Sequence, residues 1–346
     1  MSSKGTVLIT GLNGYVAGRT AENALKNGYR VRGTVRKLAA GTKVKEALCA
    51  LGYAADDIEV VEVSMICKAG ALDEAARGCS AILHLASPLR EAHTLPAPEV
   101  VSLAFDSTSS ILESALKAGP QLQSVVYMSS AAAVFDMPAA RRTHTEKDWN
   151  TTAEEIVKEH GTETDGVTAY MASKTAAERL FWKFREDYKP AFGMTALQPS
   201  YIVGEPLVPW ETKEQIPYSN ANIWQLLSGG DLPGSTMVYD DTIDIRDVAR
   251  MVVWAASNPE RADGERFLCS SAVGGPQAIA DVLNQQMPSL RTKRGTPGIG
   301  YESGYKVKDG ITGFDSGKAV MATGQDWIPY ETTIVDTANF MKRYLG

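Results

Sequence analysis

The stretch that decides the fold lies near the start of the sequence: Thr6-Val7-Leu8-Ile9-Thr10-Gly11-Leu12-Asn13-Gly14-Tyr15-Val16-Ala17-Gly18. Its apolar start predicts a buried strand, and a helix-like segment over residues 14–27 follows directly. Gly11 allows a sharp turn off the strand, Gly14 lets backbone amides approach a pyrophosphate, and the small Ala17 lets the helix pack closely. The N–H groups that begin this helix would then face the phosphates. The spacing G-x-x-G-x-x-A therefore predicts a dinucleotide-binding turn, with a tight structural turn as the alternative.

Short apolar runs alternate with helix-like segments through the first half of the chain. Strands that are apolar throughout and separated by helices are typical of a parallel sheet with helices on both faces. We therefore predict an α/β fold, a doubly wound parallel sheet of the Rossmann-like type. The predicted strands lie at residues 6–10, 30–36, 58–63, 81–86, 124–128 and 196–199, and the predicted helices at residues 14–27, 42–51, 71–77, 97–117 and 168–188. The polar, acidic stretch over residues 141–167 predicts a loop.

This alternation breaks at residues 204–217, a segment that contains several prolines and a tryptophan. The pattern then predicts a strand at residues 242–245 and a helix at residues 247–257, which we interpret as a return to the nucleotide-binding domain. We therefore expect a nucleotide-binding domain over residues 1–200 and 236–271. A smaller, mainly C-terminal substrate lobe would comprise residues 201–235 and 272–346.

The composition limits the kinds of partner. With a net charge of -6 and a pI of about 5.4, the chain has no electrostatic reason to bind nucleic acid or an anionic membrane surface. No apolar run is long enough to span a bilayer, and the N-terminus lacks a secretory pattern. Four cysteines without a C-x-x-C pair favour free thiols in the cytoplasm, and the four histidines lack metal-ligand spacing. We expect no metal, and a monomer or a homodimer.

The end of the second predicted strand indicates which dinucleotide is used. Proteins that bind NAD usually place an Asp or Glu there to hold the ribose 2′-hydroxyl. Here the strand ends in Thr34-Val35-Arg36-Lys37, and Lys43 follows. A guanidinium binds a phosphate well because its N–H groups form a planar fork. The sequence therefore favours NADP(H), with a solvated basic stretch as the alternative.

Three further residues predict proton-transfer chemistry. Tyr170 and Lys174 are four residues apart on a predicted helix and so share a face, where the ammonium should lower the pKa of the phenol. Such a tyrosine can protonate a carbonyl oxygen. Ser130 follows the fifth predicted strand, where a hydroxyl can polarise the same oxygen. Four features are now in place: the glycine turn, the cationic end of the second strand, the serine after the fifth strand and the Tyr/Lys pair. Each feature alone has a structural explanation, but the four occur together and in the order that a reductase needs.

These residues, taken together, resemble those of the extended short-chain dehydrogenases/reductases. Within that family the chain is similar to the branch of plant dihydroflavonol reductases and fungal NADPH-dependent aldehyde/ketone (carbonyl, methylglyoxal) reductases. Stretches along nearly the whole chain carry the resemblance: Thr10-Gly11-Leu12-Asn13-Gly14, Gly33-Thr34-Val35-Arg36, His84-Leu85-Ala86-Ser87-Pro88, Met128-Ser129-Ser130, Tyr170 with Lys174, Glu146-Lys147-Asp148-Trp149-Asn150, Trp182-Lys183-Phe184 and Phe314-Asp315-Ser316-Gly317-Lys318.

The resemblance implies roles for these residues. Ser130 would bind the substrate carbonyl, Tyr170 would act as the general acid, and Lys174 would bind the nicotinamide ribose. The implied NADP(H)-binding residues are Thr10, Gly11, Asn13, Gly14, Tyr15, Val16, Arg36, Lys43, Met65, Ile66, Leu85, Ala86, Ser87, Tyr170, Lys174, Pro199, Ser200 and Tyr201. Members of the family usually carry an Asp that contacts the adenine amino group. Met65 takes that place and cannot accept the hydrogen bond, which would weaken cofactor binding by about 1 kcal/mol.

The expected reaction is the NADPH-dependent reduction of an aldehyde or ketone. The substrate would be a small apolar or aromatic carbonyl compound, because few polar residues surround the predicted pocket. That pocket would be lined by Ser87, Ala131, Phe135, Tyr201, Ile202, Trp210 and Trp224, although core packing would also explain the aromatic side chains. A nucleotide-sugar epimerase and a non-catalytic NADP-sensing regulator are the alternatives. Arg36 argues against the epimerase, and the Tyr170–Lys174 pair argues against the regulator.

Overall fold

The main sheet is assembled from strands that the apolar runs predict. The computed structural model describes residues 4–87, 94–138, 142–232, 240–306 and 312–345. Within them the strands are β1 (Thr6–Ile9), β2 (Arg30–Val35), β3 (Ile58–Glu62), β4 (Ala81–His84), β5 (Ser124–Met128), β6 (Thr143–His144), β7 (Gly193–Pro199), β8 (Tyr201–Val203), β9 (Asp241–Asp244), β10 (Arg266–Cys269), β11 (Ala272–Val273) and β12 (Gly313–Phe314).

The α-helices cover the segments between these strands. They are α1 (Tyr15–Lys26), α2 (Leu38–Ala50), α3 (Asp73–Ala76), α4 (Ala97–Lys117), α5 (Ala153–His160), α6 (Gly166–Tyr188), α7 (Ala221–Leu227), α8 (Ile245–Ser257), α9 (Pro259–Ala262), α10 (Pro276–Gln286), α11 (Gly317–Thr323) and α12 (Tyr330–Met341). Asp165 is the N-cap of α6, because its carboxylate accepts hydrogen bonds from the N–H groups of Val167 and Thr168 at 2.9 and 3.0 Å. This cap fixes the start of the helix that carries Tyr170 and Lys174.

Seven strands form one sheet in the order β10-β7-β5-β4-β1-β2-β3. The strand pairs from β3 across to β7 are parallel. The strand order runs outward in both directions from the β1–β4 pair, which makes this pair the topological switch point where ligands bind in such sheets. The predicted α/β fold with a doubly wound parallel sheet is confirmed.

Two units divide the chain by their internal contacts. The first comprises Met1–Ala139, Glu146–Gln198 and Ala249–Phe267, and the second comprises Ala140–Thr145, Pro199–Val248 and Leu268–Gly346. The domain boundary expected at residues 235 and 236 lies outside the described residues. The predicted assignment of the two domains to cofactor and substrate stays a prediction.

The core of the first unit lies between the sheet and its helices. Leu8, Ile82 and Val125 contribute from the strands, and α4 and α6 contribute Leu112 and Phe181, all of them buried. In the second unit, α7, α10 and α12 enclose a separate apolar cluster that includes Ile223, Ile279 and Ile334. Two small sheets belong to this unit, one with the order β11-β9-β8 and the other formed by β12 and β6.

Sequence reasoning misjudged three features of local structure and missed one strand. The stretch over residues 141–167 is not only a loop, because it contains β6 and α5. The strand predicted at residues 242–245 corresponds to β9, which pairs with β8 and β11 rather than joining the main sheet. β10, which was not predicted, supplies the seventh strand of that sheet. Helix α2 begins at Leu38, four residues before the predicted start, since Leu38, Ala39 and Ala40 are good helix formers.

Two features that mark other protein classes are absent from the described residues. None of their helices is both long and apolar enough to cross a membrane. The same residues bring together no group of three His, Cys, Asp or Glu side chains able to hold a metal ion. The cysteines are free thiols, and burial raises the pKa of Cys79 to about 11, which keeps that thiol protonated.

The core of the first unit should depend on the inner face of α4. Leu112 is fully buried, whereas Leu116, one turn later on the same helix, is 45% exposed. We expect Leu112→Ala to lower the free energy of unfolding by about 2–5 kcal/mol, since it removes buried methyl groups and leaves a cavity. Leu116→Ala should change it by less than about 0.5 kcal/mol. Urea unfolding followed by circular dichroism measures both, and equal losses would contradict this account of the core.

Candidate active site

The glycine turn after β1 has the geometry of a phosphate-binding turn. Gly11 has a φ of +69°, and a Cβ there would lie 3.3 Å from the Cβ of Ala86. A Cβ on Gly14 would lie 3.0 Å from the carbonyl oxygen of Gly11, so both positions favour glycine. The first turn of α1 carries no acidic residue, and no side chain caps the helix. Its N-terminus therefore offers backbone N–H groups and a partial positive charge to an anion.

The Thr10 hydroxyl joins this turn to the end of β4. Its oxygen accepts hydrogen bonds from the N–H groups of Leu85 and Ala86, both at 3.0 Å. The same oxygen lies 2.9 Å from Nδ1 of His84, to which the hydroxyl donates its single proton in a hydrogen bond. Burial and the nearby Lys174 lower the pKa of His84 to about 3, so the imidazole is neutral and its Nδ1 can accept the hydrogen bond that the Thr10 hydroxyl donates. A single hydroxyl thus orders the backbone on both sides of the switch point.

The end of β2 lies against the same turn. The N–H of Leu12 donates to the carbonyl oxygen of Thr34 at 2.8 Å, and the N–H of Gly11 donates to the Thr34 hydroxyl at 3.3 Å. Arg36 directly follows β2, and Lys43 lies on α2. Both side chains are exposed, and Arg36 lies two residues after Thr34, which contacts the glycine turn. Their binding of a 2′-phosphate stays a prediction.

Sequence reasoning missed one acidic residue in this region. The Glu62 carboxylate, at the end of β3, accepts a hydrogen bond of 2.9 Å from the N–H of Leu38, the first residue of α2. A carboxylate stabilises a helix N-terminus because it complements the helix dipole. No local sequence signal connects two residues that lie 24 positions apart. The β2–β3 pairing, in which Val35 lies opposite Glu62, brings them together.

The residues expected near the adenine and ribose lie after β3 and β4. Met65 is 60% exposed, whereas Ile66 packs against the core cluster of the first unit. The Ser87 hydroxyl is buried and has no hydrogen-bond partner among the described residues. A buried hydroxyl without a partner is costly, so its presence beside the glycine turn is consistent with a ligand-binding position. The binding roles of these residues stay predictions.

Three side chains at the end of β5 form the proposed catalytic group. The Tyr170 hydroxyl is hydrogen-bonded to that of Ser130, and both residues are partly buried. Lys174 is buried on the same face of α6, and its Nζ donates to the carbonyl oxygen of Met128 at 3.0 Å. This Nζ lies 6.0 Å from the centre of the Tyr170 ring. The structure therefore brings together the three residues that sequence reasoning selected, although it does not test their chemical roles.

The protein environment changes the acidity of two of these groups. Desolvation raises the pKa of Tyr170 more than the hydrogen bond from Ser130 lowers it. The prediction that this pKa is lowered was therefore wrong for this structure, because burial outweighs the nearby groups. Desolvation also lowers the pKa of Lys174 to about 8, partly opposed by the charge of Glu178. At pH 7 the phenol is thus protonated and the amine is mostly charged.

The predicted pocket residues are divided between the two units. Ala131 and Phe135 are buried in the segment that follows Ser130. In the second unit, the Ser200 N–H donates to the carbonyl oxygen of Cys269 at 3.0 Å, directly after Pro199. Tyr201 and Ile202 are half-buried on β8.

The two predicted pocket tryptophans pack within the second unit. Trp210 contacts the ring of Phe340 edge-on, with 5.3 Å between ring centres, and Trp224 contacts Tyr344 at 6.4 Å. Each therefore has a packing role near the C-terminus of the chain. Their part in a substrate pocket stays a prediction.

The Thr10 hydroxyl offers a test of the glycine-turn geometry. Thr10→Val keeps the shape but leaves three hydrogen-bonding groups without their partner: the buried Nδ1 of His84 and the partly buried N–H groups of Leu85 and Ala86. We expect it to lower the free energy of unfolding by about 1–3 kcal/mol. Thr10→Ser keeps the hydroxyl and should cost clearly less than Thr10→Val. Chemical denaturation compares the variants, and a Thr10→Val protein as stable as the wild type would show that this hydroxyl does not hold the turn.

Comparisons with known proteins identify the family to which the chain belongs. Residues 7–269 match the model of the NAD dependent epimerase/dehydratase family. An oxidoreductase of Schizosaccharomyces pombe is 33% identical over 84% of this chain and 84% of its own length. The NADPH-dependent methylglyoxal reductase GRE2 of Saccharomyces cerevisiae is 28% identical over 99% of both chains.

Solved structures have the same architecture. The crystal structure of yeast methylglyoxal/isovaleraldehyde reductase Gre2 complexed with NADPH superimposes with a TM-score of 0.85 and 27% identity over 98% of both chains. MoeE5 in complex with UDP-glucose and NAD, at a TM-score of 0.70 and 17% identity, shares the fold alone. The predicted membership of the extended short-chain dehydrogenases/reductases is confirmed, and the chain belongs to the NAD-dependent epimerase/dehydratase family.

Proposed function

We propose that this protein is an NADPH-dependent carbonyl reductase that converts an aldehyde or ketone to the alcohol. The hydrogen bond between the Ser130 and Tyr170 hydroxyls, with Lys174 buried on the same helix face, carries the proposal. It is the arrangement needed to bind and protonate one carbonyl oxygen. Relatives named as NADPH-dependent methylglyoxal reductases in Candida albicans and Saccharomyces cerevisiae support the same enzyme class.

NADP(H) is the cofactor in this proposal, and the chain has the features that it requires. Gly11 and Gly14 keep the turn open, and α1 begins there without an acidic residue in its first turn. Arg36 and Lys43 would bind the 2′-phosphate. The Ser87 hydroxyl, which has no hydrogen-bond partner in the described part of the chain, offers a polar group further along the site. When bound, the cofactor supplies hydride to the carbonyl carbon.

The proton comes from the protein itself. In our proposal Tyr170 donates its phenolic proton to the carbonyl oxygen while Ser130 donates a hydrogen bond to the same atom. Because desolvation raises the pKa of Tyr170, the phenol still holds that proton at neutral pH. After transfer, the phenolate is stabilised by the Lys174 ammonium. An ammonium has three N–H donors, and Met128 accepts from one of them, so others are available to a ribose hydroxyl.

The substrate in this proposal is a small apolar or aromatic carbonyl compound. Ala131 and Phe135, in the segment after Ser130, are apolar, and most of the other residues that the sequence assigns to the pocket are apolar or aromatic. A nucleotide-sugar substrate would need charged and polar partners for its phosphates and hydroxyls. The likeness to MoeE5 is a likeness of fold, and it gives no support to an epimerase.

The assay for the proposed function is the loss of NADPH absorbance with a panel of aldehydes and ketones. Tyr170→Phe should lower kcat by about 10²–10⁴-fold because it removes the general acid. Tyr188→Phe, an exposed tyrosine on the same helix, should keep wild-type kcat. NADPH affinity, measured by fluorescence titration, should be close to wild type in both variants. Reduction at the wild-type rate by Tyr170→Phe would contradict the role assigned to Tyr170.

The choice of cofactor can be tested at Arg36. Arg36→Ala removes a guanidinium that would pair with the 2′-phosphate, a charged hydrogen bond, so KM for NADPH should rise by about 10–100-fold. KM for NADH should change little, because NADH lacks that phosphate. Arg30→Ala provides the control, since Arg30 is an exposed arginine at the start of the same strand. Equal weakening of both cofactors by Arg36→Ala would show that Arg36 does not contact the phosphate.

A further inference from the structure

Glu178 is a buried carboxylate that the proposed mechanism does not use. It lies on α6, one helical turn after Lys174, and its side chain is 0% exposed. An ionised carboxylate is rarely buried unless it is paired and hydrogen-bonded, because burial removes its hydration. Its partners therefore indicate what the carboxylate does.

Four donors surround this carboxylate. One oxygen accepts a short hydrogen bond from the Ser129 hydroxyl. The other accepts from Nε2 of Gln198 at 2.7 Å, from Nε of Arg266 at 2.7 Å and from Nε1 of Trp182 at 3.3 Å. Ser129 follows β5, Gln198 lies on β7 and Arg266 begins β10, which are neighbouring strands of the sheet. One side chain thus connects three strands to α6.

The contact with Ser129 acts directly on the catalytic group. Ser129 lies between Met128, whose carbonyl oxygen accepts from Lys174, and Ser130, whose hydroxyl meets Tyr170. The Glu178–Ser129 hydrogen bond fixes this short segment to the same helix that carries the phenol and the amine. A small displacement there would change the distance between the two hydroxyls that must contact one oxygen atom.

The Arg266 side chain extends the connection to a second segment. Its guanidinium donates to the carbonyl oxygens of Glu146 and Asp148 at 2.5 and 2.7 Å and lies 3.8 Å from the centre of the Trp149 ring. The next residue, Asn150, donates from Nδ2 to the carbonyl oxygen of Phe135 at 2.6 Å. The Glu178–Arg266 pair therefore also holds the segment that packs against the turn after Ser130.

Glu178 is also the negative charge that acts on Lys174. Its charge opposes the burial that lowers the pKa of Lys174 to about 8. Among the residues that the structure describes, the other titratable or charged groups that face this pair are Tyr170 on α6, His84 on β4, Arg266 on β10 and Tyr127 on β5. The Tyr127 hydroxyl is hydrogen-bonded to Thr108 of α4. His84 is neutral, and burial raises the pKa values of both tyrosines, which are therefore neutral at pH 7. Among these groups, Glu178 alone supplies a negative charge.

We propose that Glu178 is a positioning residue for the proposed reduction, because its carboxylate fixes Ser129 beside the catalytic hydroxyl and is the counter-charge of the Lys174 ammonium. The inference rests on the proposed function, which assigns Lys174 its role. The simpler alternative is that Glu178 only forms a structural ion pair with Arg266. The two accounts differ in how activity depends on pH.

The experiment compares Glu178→Gln with Arg266→Gln, since both break the same ion pair but remove opposite charges. The dependence of kcat/KM for NADPH on pH is measured from pH 6 to 10 with saturating ketone, because it reports groups of the free enzyme. Wild-type activity should fall as pH rises through about 8, where Lys174 loses its proton. In Glu178→Gln this fall should begin about one pH unit lower, the usual effect of losing a nearby opposite charge.

The size of the loss should therefore depend on pH. A shift of one unit makes Glu178→Gln about fivefold slower than wild type at pH 8 from this effect alone, with little such loss at pH 6. In Arg266→Gln the fall should not move to lower pH, because the carboxylate remains. Glu178→Asp, which keeps the charge, should retain the wild-type pH at which activity falls. Circular dichroism and the thermal midpoint show whether each variant is folded.

Three results would overturn the inference. Glu178→Gln could lose the same factor at every pH, or Arg266→Gln could shift the fall to lower pH as well. Either result would make Glu178 a purely structural residue. If Glu178→Gln does not fold, the double variant Glu178→Gln/Arg266→Met takes its place, because it removes both charges. Its activity should fall at the same lowered pH that is expected for Glu178→Gln. The third contradicting result is that neither Glu178→Gln nor the double variant folds while Arg266→Gln does, which would mean that Glu178 is needed only for folding. A wild-type protein that reduces no carbonyl compound would instead refute the proposed function.

Discussion

The packing of α6 against the end of β5 is the constraint on which the site depends. It brings a phenol and an amine, one helical turn apart, to a serine that follows a buried strand. The Ser130–Tyr170 hydrogen bond exists only because both elements are fixed by the core around them. The same packing removes water from Lys174, which lowers its pKa, and from Tyr170, whose pKa rises. Position and acidity therefore have one structural origin.

Much of this fold could be predicted because its strongest signals are local. The apolar run before Gly11 and the glycine spacing after it specify β1, the turn and α1. Helix α4 and strand β5 begin and end at the predicted residues, since a long periodic segment and a short apolar run each have one clear interpretation. The positions of Ser130, Tyr170 and Lys174 followed from the same reasoning, as the carboxyl ends of parallel strands gather at one edge.

What the sequence did not reveal depends on long-range pairing. Helix α5 lies in a stretch that is polar apart from a few residues, and its buried Ala153 and Val157 show the four-residue spacing too briefly to be recognised. The strand β9 looks like any other strand, and only its partners assign it to a small sheet. The pKa of Tyr170 was misjudged because proximity to Lys174 can be inferred from spacing, whereas the degree of desolvation cannot. Glu178 was overlooked because three of its four donors, Ser129, Gln198 and Arg266, lie on or directly after separate strands that are distant in the sequence.

In our proposal, the charged groups inside the first unit serve function rather than stability. A buried ion pair such as Glu178–Arg266 often contributes little to the stability of a fold, because desolvation offsets the attraction between the charges. The apolar side chains around Leu112 and Phe181 already supply a core without it. Lys174 is buried at a similar cost, and a buried ammonium needs a counter-charge. A carboxylate placed one turn away on the same helix meets that need while its other hydrogen bonds hold the strand ends. The buried charges thus lower the stability of the fold, but they fix the geometry of the site and keep the amine charged.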